Sequence, residues 1–288
     1  MKVYISVDME GITGIVDASQ GSAPGIDYGL GRRLMTAEAA AAAQGALDAG
    51  AGEVIVCDGH GSNGFRNILI EDLPEDAKLI SGDSRSMGQM EGLDGEYDAI
   101  VLVGYHARHG KEGVLNHTIN GGAIYEIRIN GKAVGEFAIN AYLAGHFDVP
   151  VVLVTGDNSL AEEVREVTPW IRTLELKRAV GRHAAWSLHP SRARDLIRAA
   201  VTEELEKRAA ATPLKLELPA EVEIDFKYSS MADKASTLHG IRRAEGTGVR
   251  FDAPDARVAY TRILAAVDYG ASAANSPMKS APPKPPGV

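Results

Sequence analysis

The chain has 288 residues, of which 45% are hydrophobic, and its formal net charge is -9. This length and apolar content suffice for one large or two modest α/β domains, and they exclude the disordered and fibrous classes of protein. The acidic balance lacks the basic excess that nucleic acids and anionic membranes require, so we expect neither as a partner.

The N-terminal segment MKVYISVDMEG carries charge directly after a short apolar run. That run is too short for the hydrophobic region of a signal peptide or for a membrane span, so we expect a cytoplasmic protein. Further along, Cys57 is the single cysteine of the chain. One cysteine excludes an intrachain disulfide framework and a thiolate-rich zinc cluster, and any metal must therefore use oxygen and imidazole ligands.

Four apolar, β-branched runs end abruptly in polar residues or glycine, at residues 3–11, 53–61, 99–108 and 149–157. Such runs are typical of strands that are buried on both faces of a parallel sheet. An alanine-rich helix is predicted over residues 36–48, where it connects the first two strands in a βαβ unit. A second helix is predicted over residues 138–145, before the fourth strand.

The character of the sequence changes after about residue 157. Amphipathic helices are predicted over residues 190–210 and 255–269, with strand-like sequence over residues 214–228 between them. The predicted fold is α/β, a layered and mostly parallel sheet with flanking helices, plus a smaller C-terminal α+β domain. The predicted domains are residues 1–160 and residues 161–273, followed by a proline-rich flexible tail at 274–288.

Candidate metal ligands follow the first three predicted strands. Asp8 and Glu10 are two residues apart at the end of the first strand, so their side chains leave the same face. His60 follows the second strand and His106 the third, and the carboxyl ends of parallel strands share one edge of a sheet. Two carboxylates and two imidazoles suit zinc, with manganese or cobalt as substitutes. Alternatively, the acids are solvated loop residues or a helix cap, and each histidine is a hydrogen-bonded bystander.

Two further candidates are His117, in Leu-Asn-His-Thr, and Glu136, at the start of the helix predicted before the fourth strand. A helix dipole favours an acid in the first turn, so a purely structural Glu136 is the alternative interpretation. Residues 124–137 are typical of a hairpin that turns at Asn130-Gly131, which would return Glu136 toward the sheet.

Six short motifs occur in one order along the chain: SVDMEG at 6–11, DGH at 58–60, ISGD at 80–83, GYHAR at 104–108, NHT at 116–118 and GEFAINAY at 135–142. Together they resemble the D-aminopeptidases linked to dipeptide-transport operons, a family of zinc metallopeptidases. The resemblance covers at least residues 1–160 and continues more weakly into the C-terminal half.

The resemblance implies a metal-dependent aminopeptidase that hydrolyses N-terminal residues, such as D-alanine, from short peptides. It places the catalytic function in residues 1–160, with two Zn²⁺ per subunit and Mn²⁺ or Co²⁺ as substitutes. His117 falls on the family's catalytic histidine, and we expect it to be the general acid/base. A ring-shaped homo-oligomer, a decamer of two stacked pentamers, is also implied. The implied metal ligands are Asp8, which bridges the two ions, Glu10, His60, His106 and Glu136.

Two other functions are compatible with the same residues. One is a metal-dependent amidase or another hydrolase, such as a phosphoesterase, that acts on a non-peptide substrate. The other is a non-enzymatic binding protein in which the acids and imidazoles are incidental. The fold class does not discriminate among the three, and the sequence leaves the preference between D- and L-amino acids open.

Four residues are candidates for contacts with a peptide substrate. Asp58, Asp83 and Glu91 are carboxylates that can hold its ammonium group, and Arg108 can meet its carboxylate, although an arginine at a strand end is more often in a surface ion pair. The remaining histidines lack partners at ligand spacing and are expected to be structural or solvent-facing: His109, His146, His183, His189 and His239.

Overall fold

The computed structural model describes residues 1–273, and its strands form two sheets. The strands are β1 (Lys2–Val7), β2 (Glu53–Asp58), β3 (Ala77–Ile80), β4 (Ala99–Val103), β5 (Ile124–Ile129), β6 (Lys132–Val134), β7 (Val151–Asp157), β8 (Arg172–Gly181), β9 (Ala184–Ser187), β10 (Ala220–Phe226), β11 (Arg242–Arg243) and β12 (Gly248–Ala253). The helices are α1 (Ala18–Gly21), α2 (Tyr28–Asp48), α3 (Glu136–His146), α4 (Asn158–Val167), α5 (Pro190–Glu206), α6 (Ser229–Ala235) and α7 (Ala256–Ala271).

The larger sheet has seven strands in the order β3-β2-β1-β4-β7-β8-β9. Its strands are parallel except for β9, which runs antiparallel to β8. Val7, at the end of β1, is in register with Asp58 on β2 and with Val103 on β4. The residues that follow these three strands therefore emerge side by side at one edge of the sheet, as the sequence predicted.

Two hydrophobic cores lie on opposite faces of this sheet. Val3, Ile5 and Val7 of β1 enter the core that α2 and α5 cover, whereas Tyr4 enters the core on the other face. Successive side chains of a strand point to opposite faces, which is why a continuous apolar run was needed here. Burying one such side chain stabilises the fold by roughly 1.5–3 kcal/mol.

Helices α2 and α5 pack closely against each other on one face of the larger sheet. A Cβ atom at Gly45 of α2 would lie 2.5 Å from the backbone oxygen of Arg198 on α5, so only glycine permits this approach. Helix α2 begins eight residues before the predicted helix, at Tyr28, because the less regular segment before the alanine-rich stretch also folds into it. Within residues 1–273, no helix has the length and hydropathy that a bilayer span requires.

The smaller sheet is antiparallel, with the order β11-β12-β10-β5-β6. Strands β5 and β6 form the predicted hairpin, and its turn residues Asn130 and Gly131 have φ angles of 50° and 74°. This sheet, α3 and α7 share the core on the second face of the larger sheet. Both sheets take strands from either side of residue 160, and a domain division at that residue stays a prediction. The predicted flexible tail lies outside the described residues.

Candidate metal centre

The candidate metal centre lies where β1, β2 and β4 end. Asp8 and Glu10 follow β1, which lies between the other two strands. His60 follows β2 and His106 follows β4. The remaining two predicted residues reach the same place from different elements. His117 belongs to the loop between β4 and β5, and Glu136 is the first residue of α3. The structure thus brings all six residues together.

Two glycines allow the loops after β1 and β4 to approach each other. The Gly11 N–H donates to the backbone oxygen of Gly104 at 2.7 Å. A Cβ atom at Gly11 would lie 1.9 Å from Tyr105 O, and one at Gly104 would lie 2.4 Å from Asp8 O. Gly104 also has a φ of +70°, a conformation that L side chains rarely adopt. Backbone geometry at these two positions therefore sets the position of Asp8.

The first group of candidate ligands consists of Asp8, Glu10 and His60, whose ligand atoms all lie within 4.8 Å of one another. His60 Nδ1 is 3.1 Å from Asp8 Oδ1 and 3.2 Å from Glu10 Oε2. The other ring nitrogen, Nε2, donates to the carbonyl of Gly21 at 2.8 Å. Because a carbonyl only accepts, this contact assigns the proton to Nε2 and leaves Nδ1 of the neutral ring as a lone-pair donor.

The second group consists of His106, His117 and Glu136, again with ligand atoms within 4.8 Å of one another. His106 Nε2 is 3.4 Å from Glu136 Oε1, and His117 Nε2 is 3.8 Å from the same oxygen. The two imidazole rings stack with centroids 4.1 Å apart. Asp8 lies between the two groups, since its other oxygen, Oδ2, is 3.5 Å from His106 Nε2.

The loop that carries His117 has an unusual backbone. Leu115 and Ile119 have φ angles of 49° and 59°, and a β-branched residue such as isoleucine rarely adopts this conformation. The result is that the Ile119 N–H donates to Glu136 Oε1 at 2.6 Å, while the carbonyl of Leu115 accepts from His117 Nδ1 at 2.9 Å. The strained loop therefore orients both the carboxylate and the imidazole.

The charges in this buried centre are strongly coupled. Burial and the negative charge of Glu10 raise the pKa of Asp8. Burial also acts to raise the pKa values of Glu10 and Glu136, but the imidazoles of His60 and His106 outweigh it. They hold the pKa of Glu10 well below its ordinary value and that of Glu136 at about 2. A bound cation would offset both the burial and the repulsion between the carboxylates.

The donor set fits a zinc centre. Metal-ligating histidines usually donate their second N–H to a carbonyl or carboxylate, and each imidazole here has such a partner. For His106 the partner is the carbonyl of Ala107, at 3.0 Å from Nδ1. His106 Nε2 and Glu10 Oε2 are buried yet form no hydrogen bond within residues 1–273. Oxygen and imidazole donors of this kind suit zinc better than calcium or magnesium.

A residue that the sequence analysis missed supports the loop after β1. Lys177 of β8 is buried, and its Nζ donates to the carbonyls of Glu10 at 2.5 Å, Ile12 at 3.0 Å and Ile15 at 2.6 Å. Burial lowers the pKa of Lys177 to about 8. A lysine that is separated by more than 160 residues from its partners leaves no local signal in the sequence.

A cavity of about 650 Å³ opens onto the metal centre. Asp83 lines it, so it stays a candidate for the substrate ammonium. Asp58 does not, and its carboxylate accepts from Asn67 N, Asn67 Nδ2 and Ile68 N, which assigns it a structural role. Glu91 accepts from Met87 N instead of facing the cavity.

The other secondary candidates lie outside the metal centre. Arg108 donates to the carbonyl of His109 and does not line the cavity. His189 caps helix α5, where its Nδ1 accepts from Ser191 N at 3.2 Å, in agreement with its predicted structural role. Within the described chain, the groups that could hold a metal contain none of the five histidines expected to be structural.

The chain matches known proteins over most of its length. The family model Peptidase M55, described as D-aminopeptidase, matches residues 1–265. A D-aminopeptidase of Bacillus subtilis (strain 168) is 35% identical over 265 residues, which make up 92% of this chain and 96% of the relative.

A solved structure shares the fold. It is the Zn-dependent D-aminopeptidase DppA from Bacillus subtilis, described as a self-compartmentalizing protease, and its TM-score is 0.90 at 34% sequence identity. The match covers 94% of this chain and 98% of that chain. This agreement, together with the mostly parallel larger sheet, confirms the predicted α/β fold class.

Proposed function

The chain belongs to the M55 family of D-aminopeptidases, and from this membership we propose that it is a zinc-dependent aminopeptidase acting on short peptides with an N-terminal D-amino acid such as D-alanine. The observation that carries the proposal is the arrangement of the three imidazoles. Each donates one N–H to a backbone carbonyl and turns its other nitrogen toward the buried carboxylates.

We propose two metal ions per subunit. Asp8 is suited to bridge them, because its Oδ1 faces His60 and its Oδ2 faces His106. Glu10 and His60 would complete one position, and His106 and Glu136 the other. Zinc is supported by the donor set and by the relative that is described as Zn-dependent, and manganese and cobalt tolerate the same donors.

When bound, two zinc ions supply a water of lowered pKa and a Lewis acid for the peptide carbonyl. The chain must then provide a proton for the departing amine. His117 is suited to this role, because its side chain is 17% exposed and lines the cavity, whereas that of His106 is 1% exposed. Its Nδ1 proton is held by Leu115 O, so Nε2 is the atom that takes up and delivers the proton.

The relative described as a self-compartmentalizing protease supports a proposal about assembly. We propose a ring-shaped homo-oligomer, a decamer of two stacked pentamers, in the cytoplasm. Enclosure of the active sites would restrict access to short or unfolded peptides. Light scattering coupled to size-exclusion chromatography measures the assembly directly, and a monomer as the main active species would contradict it.

The experiment that tests the activity combines elemental analysis with hydrolysis of matched D-alanine and L-alanine amides and dipeptides. Wild-type protein should contain two zinc ions per chain and cleave the D-substrates preferentially. Asp8→Ala should lose metal together with activity. His117→Ala should retain most of its metal and lose at least about 100-fold in kcat, the usual contribution of a general acid.

Other outcomes would favour the alternatives. Cleavage of substrates whose amino group is blocked, at the rate of the free amines, would identify an amidase. Wild-type protein without stoichiometric metal after expression in zinc-replete medium, and without hydrolytic activity, would identify a binding protein. Equal rates on the two enantiomers would keep the aminopeptidase and remove the D-specificity.

A further inference from the structure

Gln89 contacts one carboxylate from each group of candidate ligands without belonging to either group. Its Nε2 is 2.6 Å from Glu136 Oε2 and 3.4 Å from Asp8 Oδ2. Asp8 is the proposed bridging ligand, its Oδ2 faces His106, and Glu136 belongs to the same second group as His106. A single amide group therefore links the proposed bridging ligand to a ligand of the second group.

The direction of the Gln89 amide follows from a chain of hydrogen bonds. Ser6 Oγ donates to the backbone oxygen of Gln89 at 2.8 Å, so it must accept from the Tyr105 hydroxyl, 2.7 Å away. Tyr105, having donated its proton, accepts from Asn140 Nδ2 at 2.8 Å. The same Nδ2 group donates to Gln89 Oε1 at 2.8 Å. The Gln89 side-chain oxygen thus faces Asn140, and its NH₂ group faces the carboxylates.

The surroundings hold this arrangement in place. Ser6, Tyr105 and Asn140 are each at most 1% exposed, so water does not compete for their hydrogen bonds. Each lies in a strand or helix or just after one. Ser6 is in β1, Tyr105 is the second residue after β4, and Asn140 is in α3. The elements that carry the ligands therefore also carry the groups that orient Gln89.

We propose that Gln89 is a positioning residue for the metal centre, which orients Asp8 and Glu136 through the two N–H groups of its amide. The proposal rests on the assignment of these carboxylates as ligands. In the metal-free protein the Gln89 amide lies between the carboxylates of Asp8 and Glu136, which repel each other, and donates to both. With metal bound, it would occupy Oε2 of Glu136 and leave Oε1 for the metal.

The test measures metal binding of the full chain directly. Gln89→Met preserves side-chain length and removes both donors, Gln89→Asn keeps the amide but withdraws it by one methylene, and Asn140→Leu leaves Gln89 unoriented. Gln44→Met is the matched control, because Gln44 also donates to a carboxylate, Asp48, but on the exposed face of α2. Zinc affinity is read by competition with a chromogenic chelator, and ligand geometry by the visible spectrum of the cobalt(II) form.

We expect the two Gln89 variants to bind zinc at least about tenfold more weakly, as for other residues that orient metal ligands. Asn140→Leu should weaken zinc binding too, and adding it to Gln89→Met should cause little further loss, since both changes remove the same contact. The cobalt spectrum should change in these variants and stay at wild type in Gln44→Met. Circular dichroism of the metal-free proteins confirms that the compared variants are folded.

Wild-type zinc affinity and an unchanged cobalt spectrum in both Gln89 variants would overturn the positioning role, while two zinc ions in the wild type would leave the proposed function intact. Wild-type protein that binds no zinc would overturn both. A merely structural role predicts a lower melting temperature of the metal-free variants with wild-type zinc affinity, which would also overturn the proposal.

Discussion

Glu38 of α2 is a buried carboxyl group outside the metal centre. Its Oε1 accepts from Thr13 N at 2.9 Å, and burial raises its pKa from 4.5 to about 7. The folded protein therefore binds this proton more tightly than the unfolded chain does. The stability that this protonated group contributes is fully present below pH 4.5 and is lost as the pH rises through about 7.

We predict that Glu38→Gln removes this pH dependence, because the glutamine oxygen still accepts from Thr13 and cannot ionise. Relative to the variant, the wild type should lose on the order of 3 kcal/mol of unfolding free energy between pH 4.5 and 7.5. Urea unfolding of both metal-free proteins over this pH range measures the difference. Parallel curves for the two proteins would contradict the raised pKa.

The sequence pointed to Asp8, Glu10, His60 and His106 because each is an acid or a histidine that follows an apolar strand, and to Glu136 because it lies at a predicted helix start. His117 lies in a loop, and only the resemblance to the family gave it a role. The sequence did not identify Gln89, which lies in the short 3-10 helix Gly88–Met90 and has partners 81 and 47 residues away. Lys177 was missed for the same reason. Pattern reveals which residues can bind a metal, whereas the residues that orient them are defined only by contacts in the folded chain.

At the level of elements, the close approach of the loops after β1 and β4 depends on Gly104. We predict that Gly104→Ala destabilises the protein by about 3 kcal/mol, since it combines a left-handed backbone with a Cβ atom 2.4 Å from both Asp8 O and Ile12 Cδ1. Zinc binding should weaken as well, because the displaced backbone carries Asp8. Urea unfolding and zinc titration measure the two effects.

Gly50→Ala is the control for this prediction. Gly50 follows α2 with a φ of +81°, and no atom lies within 4 Å of the position that its Cβ would occupy. It should cost only the strain of the left-handed backbone, roughly 1–2 kcal/mol, and leave zinc binding unchanged. Equal losses in the two variants would show that strain alone, and not the contact between the loops, limits residue 104.

The central strands were predictable because they are buried on both faces and read as continuous apolar runs. Strands β8 and β9, at one edge of the larger sheet, were not predictable in this way. Strand β8 alternates apolar with charged residues only from Leu174 to Lys177, and its register shifts where Asp157 pairs with Lys177. Strand β9 is short and mostly exposed, and only its pairing with β8 makes it a strand. Such elements are specified by their neighbours more than by their own sequence.

For the molecule as a whole, we predict that zinc raises the melting temperature. Binding to the folded state alone adds about 2.7 kcal/mol when free zinc is 100 times its dissociation constant. Relief of the repulsion among the three carboxylates Asp8, Glu10 and Glu136 is already contained in this dissociation constant. Differential scanning calorimetry with zinc and with a chelator measures the shift, and Asp8→Ala should show little of it. An identical shift in that variant would indicate zinc binding elsewhere.

The sequence did not predict the complete strand order of either sheet. The larger sheet gains β8 and β9 from beyond residue 160, and the smaller one pairs β5 with β10. Pairing between strands so far apart leaves no local pattern, since any apolar strand can serve as a partner. The predicted α+β character of the C-terminal region nevertheless follows from its amphipathic helices and alternating strands, which the structure contains as α5, α7 and β10.

Lys177 supports the loop after β1 from a position 167 residues further along the chain than Glu10, so the order of translation separates the candidate residues from this support. The ribosome completes all six candidate residues by Glu136, well before it reaches the lysine that holds the Glu10 backbone. A nascent chain that has emerged only to residue 160 carries every donor and lacks this support. Transfer of the first half of the gene alone would therefore carry the six candidate residues without the lysine that contacts the Glu10 backbone.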